Sequence, residues 1–202
     1  MVEFCQEQNV KLQVAFPIRY APSVQEARKI IQSGQLGEIV GINATNHGKI
    51  PPGWFTDKSQ SGGGSATDHI VHVMDIAFWV MDEEVSEVYA ELDTRFSDLD
   101  VEDCGSVLLK FASGTVMSID PSWSRPKSFP QWGDVKMDWI GTKGTLSIDV
   151  FKQSSAVFSE QSDPYYQLLS WGADTDEALI NDFIHCLVED YPPVIPGLAG
   201  LK

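Results

Sequence analysis

Ser61-Gly62-Gly63-Gly64-Ser65-Ala66-Thr67-Asp68-His69-Ile70-Val71-His72-Val73-Met74-Asp75 is the stretch on which the reading of this chain turns. Three glycines run into a segment with helical spacing. Asp68, His72 and Asp75 stand at i, i+4 and i+7, and 3.6 residues per turn brings these positions onto one helix face. A carboxylate and an imidazole one turn apart can meet. The acid can hold the ring in one tautomer or raise its basicity, as removal of a proton from a hydroxyl requires. Ile76-Ala77-Phe78-Trp79-Val80 continues the helix as an apolar turn that seeks a core.

Outward from this helix the pattern is regular. Upstream, residues 1–8 read as the tail of a helix and Val10 to Phe16 as a β-strand rich in β-formers. Pro22 to Ser33 reads as a helix with Val24, Ala27, Ile30 and Ile31 on one stripe, ended by Gly34. Glu38 to His47 is strand-like, and His47 to Gln60 is a loop broken by Pro51, Pro52 and Gly53. Downstream, strands are predicted over Glu87–Phe96, Asp103–Phe111, Thr115–Trp123, Val135–Ile140 and Thr145–Phe151. Ser113-Gly114 and Gly141-Thr142-Lys143-Gly144 serve as hairpin turns. A last helix runs from Asp174 to Glu189, with Ala178, Leu179, Phe183 and Leu187 on one stripe. The order implies an α+β fold: a large, mainly antiparallel open sheet with helices packed on one face.

The chain of 202 residues is 43% hydrophobic and carries a formal charge of −15. It is long enough to bury a core. The negative charge argues against nucleic acid or an anionic membrane surface as partner, since both would repel it. Three widely spaced cysteines, Cys5, Cys104 and Cys186, fit neither a disulfide framework nor a zinc spacing and read as reduced, mostly buried thiols. No apolar run approaches the ~20 residues that span a bilayer, and Met1-Val2-Glu3-Phe4-Cys5 does not open a signal peptide. The expected location is the cytoplasm.

Each motif also has a plainer reading. The glycine run before a helix either binds an anion at the helix N-terminus or allows close packing. Packing is favoured, because no lysine with serine or threonine follows it. Asp68, His69, His72 and Asp75 include metal-ligating types, and a metal hydrolase using His69 and His72 is conceivable. No further ligand stands at a diagnostic spacing, so no metal site is assigned. Asp75 reads either as a structural hydrogen-bonding group or as a substrate contact.

Several segments together resemble the Gfo/Idh/MocA family of sugar and cyclitol oxidoreductases. They are Val14-Ala15-Phe16-Pro17-Ile18-Arg19-Tyr20 with Pro22, Gly34-Gln35-Leu36-Gly37-Glu38-Ile39, and Gly62-Gly63-Gly64 with Asp68, His72 and Asp75. Glu102-Asp103, Phe111-Ala112-Ser113-Gly114, Trp123, Gly141-Thr142-Lys143-Gly144-Thr145, Asp182-Phe183 and Gly197-Leu198 agree. The resemblance implies that residues 1–17 are the last helix and strand of an N-terminal Rossmann domain that binds NAD or NADP. Residues 18–202 would be the C-terminal domain for substrate binding and oligomerisation.

The family's glycine-rich dinucleotide fingerprint is absent here, and the lysine of its Glu-Lys-Pro motif would lie upstream of Met1. Val71 stands where the family often has glycine, and His69 is unusual at its position.

By this resemblance the intact parent moves a hydride between a nicotinamide and a hydroxyl- or carbonyl-bearing carbon of a sugar, cyclitol or related compound. His72 would be the base and Asp68 its orienting partner. Arg19, Tyr20, Trp54, Asp75 and Trp123 are candidate substrate contacts. Asn46, His47, Lys49, Asp57, Arg125 and Trp132 stand where they could line the same cleft. The chain alone is expected to bind no nicotinamide cofactor and to be inactive. The expected partners are a polyol or sugar and a second copy of the chain, through the sheet face. The rival reading is a non-catalytic sugar-binding or self-associating module.

Overall fold

The computed structural model describes residues 1–158, 160–161, 166–170 and 172–201. Its helices are α1 (Val2–Glu7), α2 (Pro22–Gln32), α3 (Lys58–Ser61), α4 (Ser65–Met81) and α5 (Thr175–Val188). Its strands are β1 (Ile39–Gly48), β2 (Val85–Asp93), β3 (Cys104–Phe111), β4 (Val116–Asp120), β5 (Gly133–Gly141), β6 (Thr145–Asp149), β7 (Ser154–Phe158) and β8 (Tyr166–Ser170).

Six strands form one open sheet in the order β2-β3-β4-β1-β5-β6. β1 runs parallel to β4, and the remaining neighbours are antiparallel. The expected α+β architecture is therefore present. Alternation along the strands puts Ile42 and Ala44 of β1, Val107, Leu109 and Phe111 of β3, Met117 and Ile119 of β4, and Met137 and Trp139 of β5 into one core. The helices meet them with Val24 and Ala27 of α2 and Val73, Ile76, Ala77 and Val80 of α4. Each such large aliphatic side chain gains roughly 1.5–3 kcal/mol from burial. On the opposite sheet face Tyr89, Leu108, Val116 and Ile140 are exposed.

The structure corrects three local readings. Val10–Phe16 is not a strand: it makes one isolated bridge, Gln13 to Pro196. Two further backbone bonds join it to residues 195–197, from Val14 N to Ile195 O and from Gly197 N to Leu12 O. β-Forming residues need a ladder on at least one side to become a strand, and only this short segment lies alongside. The β7–β8 hairpin was not anticipated. In α5 Leu187 is exposed and Cys186 is the buried residue, one position away from the expected stripe.

Asp174 caps α5 by accepting from the amides of Asp176 and Glu177. Cys5 and Cys104 are half-buried, so the thiols are less enclosed than expected. No helix among the described residues is long and apolar enough to cross a membrane.

Candidate functional site

The site begins where α4 begins. A Cβ on Gly64 would stand 1.9 Å from the carbonyl oxygen of Glu102, so only glycine fits. Glu102 Oε1 accepts from the amides of Gly64 at 2.8 Å and Ala66 at 3.3 Å, and its carbonyl accepts from Ser65 N at 2.8 Å. Of the two readings of the glycine run, close packing is the one found: the amides that an external anion would use already hold a carboxylate.

One turn into α4 stands Asp68. Its Oδ2 accepts from Trp123 Nε1 at 3.1 Å and lies 3.3 Å from His69 Nε2. Burial pushes the carboxyl up, but the hydrogen bonds from His69 and Trp123, with the nearby imidazoles, outweigh it and hold Asp68 below the usual carboxylate range. Asp68 is thus an anion with one oxygen fully engaged.

His72 follows on the same face. Its Nδ1 is buried without a partner, and the edge of Phe16 packs against the ring at 6.2 Å between centroids. Burial lowers its proton affinity, Asp68 raises it, and His69 lowers it; the net direction is down. An imidazolium would leave a buried N–H unsatisfied, which gives the same direction.

The other sequence candidates have definite places. Arg19 and Asp75 pair with each other: Arg19 Nε donates to Asp75 Oδ2 at 2.6 Å and Nη2 to Oδ1 at 2.5 Å, and both residues are buried. Arg19 also lies over the Trp79 ring at 5.3 Å. Tyr20 donates to Asp182 of α5 at 2.7 Å, and burial with that bond pushes its phenol well up. Trp123 is buried beneath Asp68. Trp54 is half-exposed and stacked on Phe55 at 4.1 Å.

Asp57 caps α3 through Ser59 N, and Asn46 Nδ2 donates to the carbonyl of His69 at 3.0 Å. His47 lies between Asp120 and Asp134, and Arg125 binds Asp134. This charged group pins the segment from Ser122 to Trp132 to the end of β1, where Arg125 N donates to Gly48 O and Lys49 N to Trp132 O.

Beside this end of the sheet a cleft of ≈250 Å³ is lined by Ala21, Pro22, Gln131, Trp132, Phe151 and Thr175, among others. Trp132 is half-exposed. Its Nε1 lies 3.6 Å, and His69 Cε1 2.9 Å, from the point where a Cβ on Gly48 would stand. Trp132, which lines this cleft, and His69 thus both approach Gly48, while Asp68, His69 and His72 are not among the cleft's lining residues. Glu102, His69 and Gly48 are the residues that sequence reasoning missed or left unassigned. Gly48 carried no signal, because its meaning lies in a residue on another element.

A family model described as the GFO/IDH/MocA C-terminal domain matches residues 24–147. The chain belongs to the GFO/IDH/MocA family. Among curated relatives it is 27% identical over 203 residues to an uncharacterized oxidoreductase of Bacillus subtilis, covering 96% of this chain and 58% of that protein. It is 25% identical to the myo-inositol 2-dehydrogenase of Thermotoga maritima, covering 99% of this chain and 61% of that enzyme. Among solved structures it superposes on GenD2 from gentamicin A biosynthesis, determined in complex with NAD. The TM-score is 0.86 at 20% identity, covering 99% of this chain and 60% of that one. The chain thus spans about three-fifths of the length of the family members it matches.

Proposed function

We propose that this chain is the substrate-side part of an NAD- or NADP-dependent oxidoreductase acting on a sugar, a cyclitol or a related polyol. The observation that carries the reading is the Asp68–His72 pair: an anchored carboxylate and, one turn on, an imidazole of lowered proton affinity, in a family with dehydrogenase members. His72 stands neutral near pH 7 and takes the proton from the substrate hydroxyl. Asp68, held ionised, stabilises the imidazolium that results and orients either the ring or a second hydroxyl. In the reverse direction His72 returns the proton to the carbonyl oxygen.

The described residues do not fit a dinucleotide. The sequence has no glycine-rich fingerprint, and the amides at the N-terminus of α4 are held by Glu102. The cofactor, which accepts hydride from the substrate carbon, is assigned to the portion of the family's length that this chain does not span. Residues 1–17 are proposed to be the edge of that portion. Arg19, Asp75, Tyr20 and Trp123 are proposed to shape the site through one another, and Trp132 to offer an aromatic wall to the substrate.

The test is the product of the complete reading frame, assayed for polyol-dependent reduction of NAD and NADP, with His72→Ala and Asp68→Asn alongside. Loss of turnover in both folded variants supports the assignment; normal turnover in His72→Ala removes it.

A second reading, a self-associating module, draws on the exposed Tyr89, Leu108, Val116 and Ile140 on the sheet face opposite the core. Exposed apolar side chains on one face suit a two-fold contact between copies. Light scattering on the 202-residue chain decides it: a monomer at high concentration excludes self-association through this face.

A further inference from the structure

We propose that His69 is the positioning residue of this site: with Trp123 it fixes Asp68 through the single oxygen Oδ2, leaving Oδ1 to face His72 or a substrate hydroxyl. The inference rests on the reading of Asp68 and His72 as the pair that handles the proton. It concerns a residue one position beyond that pair's acid, pointing into the interior.

Four observations converge on it. First, His69 Nε2 lies 3.3 Å from Asp68 Oδ2, the same oxygen that accepts from Trp123 Nε1 at 3.1 Å. One hydrogen bond from Trp123 and the close approach of the His69 ring nitrogen to the same oxygen together restrict the rotation of the carboxylate. Secondly, the imidazole is itself immobilised. His69 is 4% exposed, and its ring packs edge-on against the Trp123 ring at 6.5 Å; Asn46 holds the backbone at this point by donating to the main-chain carbonyl of His69.

Thirdly, its tautomer is constrained by its surroundings. His69 Nδ1 is buried with no partner, so only the neutral tautomer with hydrogen on Nε2 leaves no buried N–H unsatisfied. That tautomer turns its N–H side toward Asp68 Oδ2. Fourthly, β1 makes room for it. A Cβ on Gly48 would stand 2.9 Å from His69 Cε1 and 3.0 Å from Nε2. Any other residue at 48 displaces the ring, so Gly48 and His69 form a matched pair on different elements.

The titratable groups facing Asp68 are His69 and His72 on its own helix; Trp123 and Gly48, from the neighbouring segments, do not titrate. Removing His69 therefore takes away the main local stabilisation of the carboxylate other than Trp123.

The experiment is heteronuclear NMR on the 202-residue chain. Ring-nitrogen spectra of the wild type give the tautomer of His69. Carboxyl-carbon shifts give the titration of Asp68 in wild type, His69→Gln, His69→Phe and Gly48→Ala. The wild-type ring is expected to carry hydrogen on Nε2. Asp68 should titrate about one pH unit higher in His69→Phe and Gly48→Ala, and His69→Gln, which keeps an N–H donor, should restore much of the shift. An Nδ1–H tautomer in the wild type overturns the proposal, and so does an unshifted Asp68 in folded Gly48→Ala. The tautomer and Gly48→Ala decide the matter even if His69→Phe does not fold. These signals are read without turnover. A positive result here together with full activity in His72→Ala would leave the positioning contact standing and remove the proton-transfer reading instead.

Discussion

Trp123 reaches Asp68 across 55 positions of sequence, its indole N–H donating to Oδ2 at 3.1 Å from a fully buried ring. The contact joins the segment after β4 to the first turn of α4, so the indole serves the site by holding the acid in place. Trp123→Phe keeps the ring's burial and deletes the donor. Hydrogen bonds to charged groups contribute about 1.5–3 kcal/mol, and a loss of that order is expected by urea denaturation. The titration of Asp68 should move upward in the same variant. An unchanged urea midpoint would show that the bond contributes nothing.

Arg19 and Asp75 form a buried, bidentate ion pair. Removing one partner strands the other charge, so Arg19→Met and Asp75→Leu should each destabilise by roughly 3–5 kcal/mol. The double variant should recover most of this loss, because two apolar side chains leave no charge unpaired. Additive losses in the double variant would contradict the pairing.

The depressed proton affinity of His72 makes stability depend on pH in a stated direction. Below the ordinary imidazole pKa of about 6.5 the unfolded state binds this proton while the folded state resists it. The unfolded state then holds more protons, and stability rises with pH through that window. The contribution is complete above 6.5 and is lost as pH falls toward the folded value. His72→Gln should therefore flatten the change in urea midpoint between pH 7.5 and 5.5. An equal slope in both proteins would place the dependence elsewhere.

Gly64 lies against Glu102 so closely that Gly64→Ala must move backbone. Overpacking of this kind costs about 1–3 kcal/mol, and the shift would displace the start of α4 and with it Asp68. Calorimetry on Gly64→Ala should show a lower Tm. Gly34→Ala is the control: a Cβ there meets no atom, and only its left-handed backbone opposes the change.

The sequence displayed what is local. α4 announced itself through its spacing and the sheet through alternation and turn chemistry, and the one-turn separation of Asp68 and His72 puts them on one face of α4. What stayed hidden depends on distant partners. Arg19 pairs with Asp75, 56 residues away. Tyr20 bonds to Asp182, 162 residues away. The burial of Trp123 is a property of the packed sheet. Val10–Phe16 has strand composition, but a strand exists only where a neighbour supplies the ladder.

The chain on its own is expected to bind no nicotinamide cofactor. The amides at the start of α4 are occupied and no dinucleotide fingerprint is present in the 202 residues. Neither NAD nor NADP should raise the Tm of this chain at millimolar concentration. A clear rise would require a nucleotide site within these residues, because a ligand that binds the folded state must stabilise it.

The most direct measurement is polyol-dependent nicotinamide reduction by the product of the complete reading frame, wild type against His72→Ala, with folding of both verified by circular dichroism. The expected result is turnover on a sugar or cyclitol by the wild type and a loss of at least about a hundredfold in the variant, the usual scale of general acid–base catalysis. Equal turnover in the two folded proteins, or no polyol oxidation by the wild type with either cofactor, would contradict the assignment of Asp68 and His72.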